Sequence, residues 1–564
     1  MNNPFHSNKK LFKRRKKTQH AHLHKTYVDK AISHEEFSVR DGEGHLRRSI
    51  ATHQLYWLGA VFMLFVLVML FRTAHLQIAE GDHYTRISEN NSFDRMAVLP
   101  IRGNIYDRHG APIAWNVGEA GNTVPERRYP GEGFSSLLGF IRYPKQDTGG
   151  EYYRRETEGA GGLEQKYNFL LAGGSGSIVL EKDAGGSVIS ELYIEEPTDG
   201  DTVEVSLDAD IQKMLYTAIK QTAEEREFQS GSGSMLDVQT GEIIALVSYP
   251  DFDNNILVNR KEKIPKNYLQ EQDEGVFVHR AVSGLYSPGS TVKPFFAVAA
   301  LQEEIVAPTD IITSKGSITV QNPYDPDIVY TYKDWKPHGD LTMYDAIAQS
   351  SNVYFYYVGG GYGHIDKGLG IDRLNFYAEM FGFGRPTAIG VFHEPEGLVP
   401  NPKWKKERYG EGWTIGDTYN TVIGQYAFQV TPLQLARATA AIANGGMLLE
   451  PHLENNKQSK KVRLAIAEES LAMVRVGMRK TIVEGTARTL HTDAYNLAAK
   501  TGTAQVGTDG LLNSLLIGFF PYEKPAYAFV IVMERSEQES GAIVAARKFF
   551  NAVMTKHPHY MTGK

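Results

Sequence analysis

An unbroken apolar run, LYWLGAVFMLFVLVMLF, occupies residues 55–71 without a single charge. A helix on the surface of a soluble domain carries a polar stripe, and this run has none, which predicts a helix that meets lipid. Ile50 to His53 extend it toward the length a bilayer requires. Beyond it the pattern changes. PIRGNIYDRHGAPIAWN (100–116) predicts two short extended stretches about a turn at Asp107–Gly110, and GGLEQKYNFLLAGGSG (161–176) predicts a helix stopped by glycines. TVEVSLDADIQKMLYTAIKQTAEE (202–225) reads as a strand, an Asp cap region and an amphipathic helix with Ile211, Leu215, Ala218 and Ile219 on one face. SGSMLDVQTGEIIALVSYPDFD (232–253) predicts two strands about a Gln239-Thr240-Gly241 turn. A long, mostly helical middle follows. LAAKTGTAQV and LLIGFFPYEKPAYAFVIVMER (515–535) then predict strands, and GAIVAARKFFNAVMT (541–555) a closing helix. Strands at both ends of a helical middle make an α+β domain, with the strand order left open.

Composition and charge add direction to this outline. The chain has 564 residues, 42% of them hydrophobic, which allows about three folded domains. A net charge of −6 argues against a nucleic-acid binder. The sign is unevenly spread, however, because KKLFKRRKK (9–17) opens a basic stretch that runs up to the apolar segment. Basic residues before a span predict a cytoplasmic tail, with everything after Arg72 outside. So long a leading segment fits a retained anchor better than a cleaved signal peptide. The absence of cysteine removes disulfides, cysteine nucleophiles and thiolate metal sites together. The expected organisation is a basic tail over 1–50, an anchor helix over 51–74, a pedestal of strands and loops over 75–195, and a catalytic body over 196–564.

The candidate chemistry begins at LYSPGSTVKPFFAVAAL (285–301). Pro294 is tolerated only in a helix's first turn, so the helix starts close to Ser290, after a Pro288-Gly289 turn. Ser290 and Lys293 then share a face, a hydroxyl beside an amine, near unpaired N–H groups able to hold an oxyanion. Taken alone the spacing means little, since Ser7 and Lys10 repeat it in the tail. Ser350-Ser351-Asn352 in QSSNVYFYY and Lys500-Thr501-Gly502-Thr503 in AKTGTAQV are individually just as weak. In this order they form the S-x-x-K, S-x-N and K-T-G set described for penicillin-binding proteins and class A β-lactamases. Other clusters read as bland. Asp334 and His338 are two metal-ligand types without a partner set, GGGYG (359–363) lacks the Lys-Ser/Thr of a phosphate loop, and Glu394 and Glu396 of EPEGLVPNP fit a surface loop.

On these motifs the chain resembles a class B penicillin-binding protein, a peptidoglycan D,D-transpeptidase. RGNIYDRHG, GGLEQKYNFLLAG, HRAVSGLYSPGSTVKPF and YNTVIGQYAFQVTPLQLARATAAIANGG extend the resemblance over nearly everything after the tail. YKDWKPHGDLTMYDAIAQSSNVYFY is similar to the elongation-type branch, penicillin-binding protein 2. The resemblance implies a β-lactamase-like serine-transpeptidase fold, an antiparallel sheet with helices on both faces. It also implies a single-pass anchor in the cytoplasmic membrane, a dimerisation-type pedestal and an extracytoplasmic catalytic domain.

It further implies that Ser290 attacks the carbonyl of a D-Ala-D-Ala stem peptide, with Lys293 as base, its proton affinity lowered by burial and by the nearby charge of Lys500. Ser350 would relay a proton to the leaving amine, and Asn352 would position the substrate and the lysine. Thr501 and Thr503 would meet the terminal carboxylate, Gly502 would let the substrate approach its strand, and the Ser290 and Thr503 N–H groups would form the oxyanion hole. No cofactor or metal is implied. The expected partners are donor and acceptor stem peptides, β-lactams and a SEDS-family glycan polymerase. The pedestal between Trp115 and Gly161 is shorter than in many class B members, which leaves the mode of engaging that polymerase open. Two rivals share the motifs: a carboxypeptidase or β-lactamase-like hydrolase, and a non-catalytic β-lactam sensor or wall scaffold.

Overall fold

Helix α1 (Thr52–Ala74) passes into a π-helical turn at His75–Ala79. Together His53–Ala79 make 27 residues whose apolar side chains are not buried, long and apolar enough to cross a membrane. The computed structural model describes residues 52–85, 93–118, 125–146, 152–154, 156–182, 187–259, 275–322, 325–507 and 510–562. The basic tail expected over 1–50 lies outside them.

Residues 91–564 form a separate compact unit. Its first part holds an antiparallel sheet, in the order β1 (Phe93–Val98), β2 (Gly176–Lys182), β3 (Val188–Glu195). Every residue of the edge strand β3 is exposed, with Ile189, Leu192 and Ile194 each more than 60% accessible. The Asp107 turn forms as the sequence predicts, because the Asp107 carboxylate accepts from the backbone N–H groups of His109 and Ala111. The predicted helix at 162–171 is two short pieces, Gly162–Lys166 and Asn168–Leu171. Glu164 in the first piece is fully buried and accepts from Arg102 Nε at 2.7 Å and Arg127 Nε at 2.8 Å. A buried carboxylate between two guanidiniums ties RGNIYDRHG to GGLEQKY, two segments about sixty positions apart.

In the body, Asp208 caps α2 (Ala209–Arg226) by accepting from Ile211 N. Strands β4 (Ser230–Asp237) and β5 (Ile243–Tyr249) make the predicted hairpin, its turn held by Asp237 accepting from Gln239 N and Thr240 N. They join β6 (Ala498–Val506), β7 (Leu511–Phe520) and β8 (Tyr527–Ser536) in one antiparallel sheet, in the order β5-β4-β8-β7-β6. Leu515, Ile517, Val530 and Val532 point into a core shared with α3 (Lys293–Gln302) and α6 (Pro432–Ala443). Leu516, Phe529, Ile531 and Met533 point the other way, into a core with α2 and α8 (Gly541–Lys556). Burial on both faces explains why LLIGFF and YAFVIVM are continuous apolar runs with no polar alternation.

The middle is less helical than the sequence predicts. Ile312–Ser314 pairs with Gly339–Leu341, and Ser317–Gln321 with Val329–Lys333. SITVQ and VYTYK are rich in β-branched and aromatic residues, and local strand preference decides in segments this short.

Candidate active site

Ser290 lies in a 3₁₀ turn (Gly289–Val292) that leads directly into α3, with Pro294 in the first α-helical turn as its chemistry requires. This turn is pressed against the edge strand β6. A Cβ on Gly502 would come within 2.7 Å of Thr291 Cγ2 and 2.9 Å of the Pro288 carbonyl oxygen. Gly502 therefore lies directly against the turn that carries Ser290 on this face. On the other side the Gly424 carbonyl accepts from Gly289 N at 2.9 Å, and a Cβ on Gly424 would stand 2.2 Å from the Gly289 oxygen. The position of Ser290 is thus set by backbone packed on backbone.

The Ser350-Ser351-Asn352 stretch is the joint between α4 (Met343–Gln349) and α5 (Asn352–Gly360). Ser350 sits at φ 59°, left-handed backbone that a non-glycine residue adopts at a cost of about 1–3 kcal/mol. Asp334 holds the next turn. Its carboxylate accepts from Asn352 N and Val353 N, both at 3.0 Å, and from the Ser351 hydroxyl at 2.7 Å. Burial works against the Asp334 charge, but these hydrogen bonds, aided by the Lys293 charge, outweigh it and hold the carboxyl below the usual range. This is the use of Asp334 that sequence reading missed. His338 Nε2 is 3.5 Å from Asp334, and among the described residues no group of three metal-ligand types includes them.

Both motif lysines are fully buried. Lys293 Nζ donates to Asn352 Oδ1 and to the Ser350 carbonyl, each at 2.7 Å, and stands 3.5 Å from Ser350 Oγ. Lys500 Nζ donates to the same Ser350 Oγ at 2.8 Å and to the Thr501 carbonyl at 2.7 Å. Burial pulls the Lys293 amine down to about 7, opposed by the Asp334 charge. Lys500 is pushed well below its ordinary value, first by burial and then by the Lys293 charge. Of the two expected causes, burial is the one that lowers the proton affinity of Lys293. One hydroxyl bridges two amines that resist being charged together.

Ser350 and Asn352, which these amines hold, border a cleft of about 560 Å³ whose lining also includes Ser290, Thr501, Gly502 and Thr503. The three sequence motifs therefore converge on one cavity. Glu394 is spent elsewhere, accepting from Thr387 Oγ1 and Ile389 N to shape its own loop.

The penicillin binding protein transpeptidase domain matches residues 231–555, and the penicillin-binding protein dimerisation domain matches 118–205. The chain belongs to the penicillin-binding protein transpeptidase family. It is of the class B, penicillin-binding protein 2 type. The peptidoglycan D,D-transpeptidase MrdA of Acinetobacter baumannii is 28% identical over 92% of this chain and 89% of its own. Penicillin-binding protein 2 of Helicobacter pylori, solved in complex with MreC, superposes with a TM-score of 0.69 at 25% identity, over 82% of this chain and 99% of that one. A chain from a peptidoglycan synthase complex that coordinates polymerization and crosslinking gives the same TM-score at 25% identity, over 91% and 99%.

Two residues that line the transpeptidase cleft from outside the motifs reach motif residues directly. Gln425 Nε2 donates to the Thr503 carbonyl at 3.3 Å, and Thr486 Oγ1 is 2.7 Å from Thr501 Oγ1. Both also line the cleft. Neither has a sequence signal, because each is set by a turn whose partner is distant in the chain.

Proposed function

We propose that this chain cross-links peptidoglycan stem peptides through an acyl-enzyme on Ser290. Neutral Lys293 takes the Ser290 proton as Oγ bonds to the carbonyl carbon of the penultimate D-Ala, and the N–H groups of Ser290 and Thr503 stabilise the oxyanion. The proton then passes through Ser350 to the departing amine, the peptide C–N bond breaks, and the terminal D-Ala leaves. An acceptor amine attacks the ester, gives up a proton along the reverse path, and regenerates the Ser290 hydroxyl as the new amide forms. Asn352 holds Lys293 in place, Lys500 anchors the Ser350 hydroxyl, and Thr501 and Thr503 receive the substrate carboxylate while Gly502 keeps strand and nucleophile in contact. A β-lactam enters by the same first step and leaves the ester in place. The observation that carries this reading is the Ser350 hydroxyl shared by two buried amines in the cleft that holds Ser290.

The anchor helix, with its basic residues on the leading side, supports an N-terminus inside and a body outside the cytoplasmic membrane. Relatives in a synthase complex and in complex with MreC support a role in cell elongation beside a SEDS-family polymerase. The exposed apolar strand β3 supports the pedestal as the docking surface. Incubation of the full chain with a labelled D-Ala-D-Ala stem peptide, with and without an acceptor amine, tests the chemistry. Dimeric product with release of D-Ala is expected. Water-trimmed peptide alone would make the protein a hydrolase, and no turnover with stable β-lactam uptake would make it a sensor.

A further inference from the structure

Thr486 belongs to none of the three motifs. It follows helix α7 (Glu468–Val483), and its backbone N–H donates to the Ala348 carbonyl at 3.0 Å, two residues before Ser350. Its hydroxyl stands 2.7 Å from that of Thr501, and both line the cleft. We propose that Thr486 is a positioning residue whose hydroxyl donates to Thr501, committing the Thr501 proton to the substrate's terminal carboxylate. The inference rests on the acyl-transfer reading above and adds to it the residue that sets substrate recognition.

The direction of the hydrogen bond follows from the ligand. Either hydroxyl can donate to the other. A carboxylate only accepts, so Thr501 must spend its single proton on the ligand and take its own hydrogen bond from Thr486. Two hydroxyls aligned this way polarise one another and strengthen the outer bond. The electrostatics of the cleft make the relay consequential. Among its described lining residues there is no Lys, Arg or His, and the one charged residue is the acid Glu539. An anionic substrate terminus is therefore met at the cleft surface by neutral donors, the Lys500 amine lying buried behind them on Ser350 Oγ and the Thr501 carbonyl. The tether to Ala348 puts Thr486 on the same frame as Ser350, so recognition and proton transfer share a scaffold.

The test compares acylation rate constants of the full chain and its Thr486→Val and Thr486→Ser variants with benzylpenicillin and with its methyl ester. The ester lacks the negative charge, so the acid-to-ester ratio isolates the relay from general damage. Thr486→Val should lower that ratio about tenfold, the scale of one hydrogen bond to a charged group, and Thr486→Ser should stay within about twofold of wild type. An unchanged ratio in Thr486→Val, whether both rates fall together or neither falls, would overturn the relay while leaving the acyl-enzyme intact. Wild-type chain that reacts with neither probe would overturn the acyl-enzyme reading itself.

Discussion

In the proposed reaction Lys293 can serve as the base because it is dry. Its amine, pulled to about 7 by burial, is protonated below that pH and neutral above it, and only the neutral form can accept the Ser290 proton. Acylation by a β-lactam should therefore rise as pH increases through about 7. Asp334 favours the charged form of Lys293, so Asp334→Asn should move the rising limb to lower pH. Stopped-flow acylation across pH 5 to 9 checks both, and a limb that stays in place would remove Asp334 from the electrostatics of the site. At this scale much was legible in the sequence. The three-residue spacing of Ser290 and Lys293 predicts a shared helix face, and the motif order supplied the rest. Asp334 was not legible as a cap, because it reaches Ser351 and Asn352 only after the hairpin of 317–333 folds back. Thr486 and Gln425 carry no local pattern at all.

Among the elements, the contact between the nucleophile's 3₁₀ turn, β6 and the Gly424 turn fixes the cleft. Gly424 combines φ +73° with a neighbour 2.2 Å from where a Cβ would be, whereas Gly410 has the same φ and open space around it. Gly410→Ala should cost about 1 kcal/mol, the conformational penalty alone. Gly424→Ala should cost about 2–3 kcal/mol or more and slow acylation at least tenfold, because backbone must move behind Ser290. Denaturant melts and acylation rates on the pair separate strain from displacement, and equal costs would dismiss the packing argument. The strands of the sheet were visible as apolar runs, but their order was not, since a run buried on both faces says nothing of which strand lies beside it. The short hairpins of the middle were hidden for the opposite reason, being too brief to show a period.

For the whole molecule, the chain has no cysteine and so no disulfide, and the part that holds Arg102, Arg127 and Glu164 relies on a buried ionic centre. Glu164→Ala would leave the Arg102 and Arg127 guanidiniums buried and uncompensated, a loss of about 3–5 kcal/mol that thermal melts of the full chain would record. A melt unchanged by the substitution would show that the two arginines find other partners. The account as a whole turns on whether three distant stretches act through one hydroxyl, and intact-mass analysis of the penicillin-treated chain with peptide mapping decides that most directly. One adduct, mapped to Ser290 and absent from Ser290→Ala, is the predicted result; an adduct that persists in the variant, or maps to another residue, would contradict it.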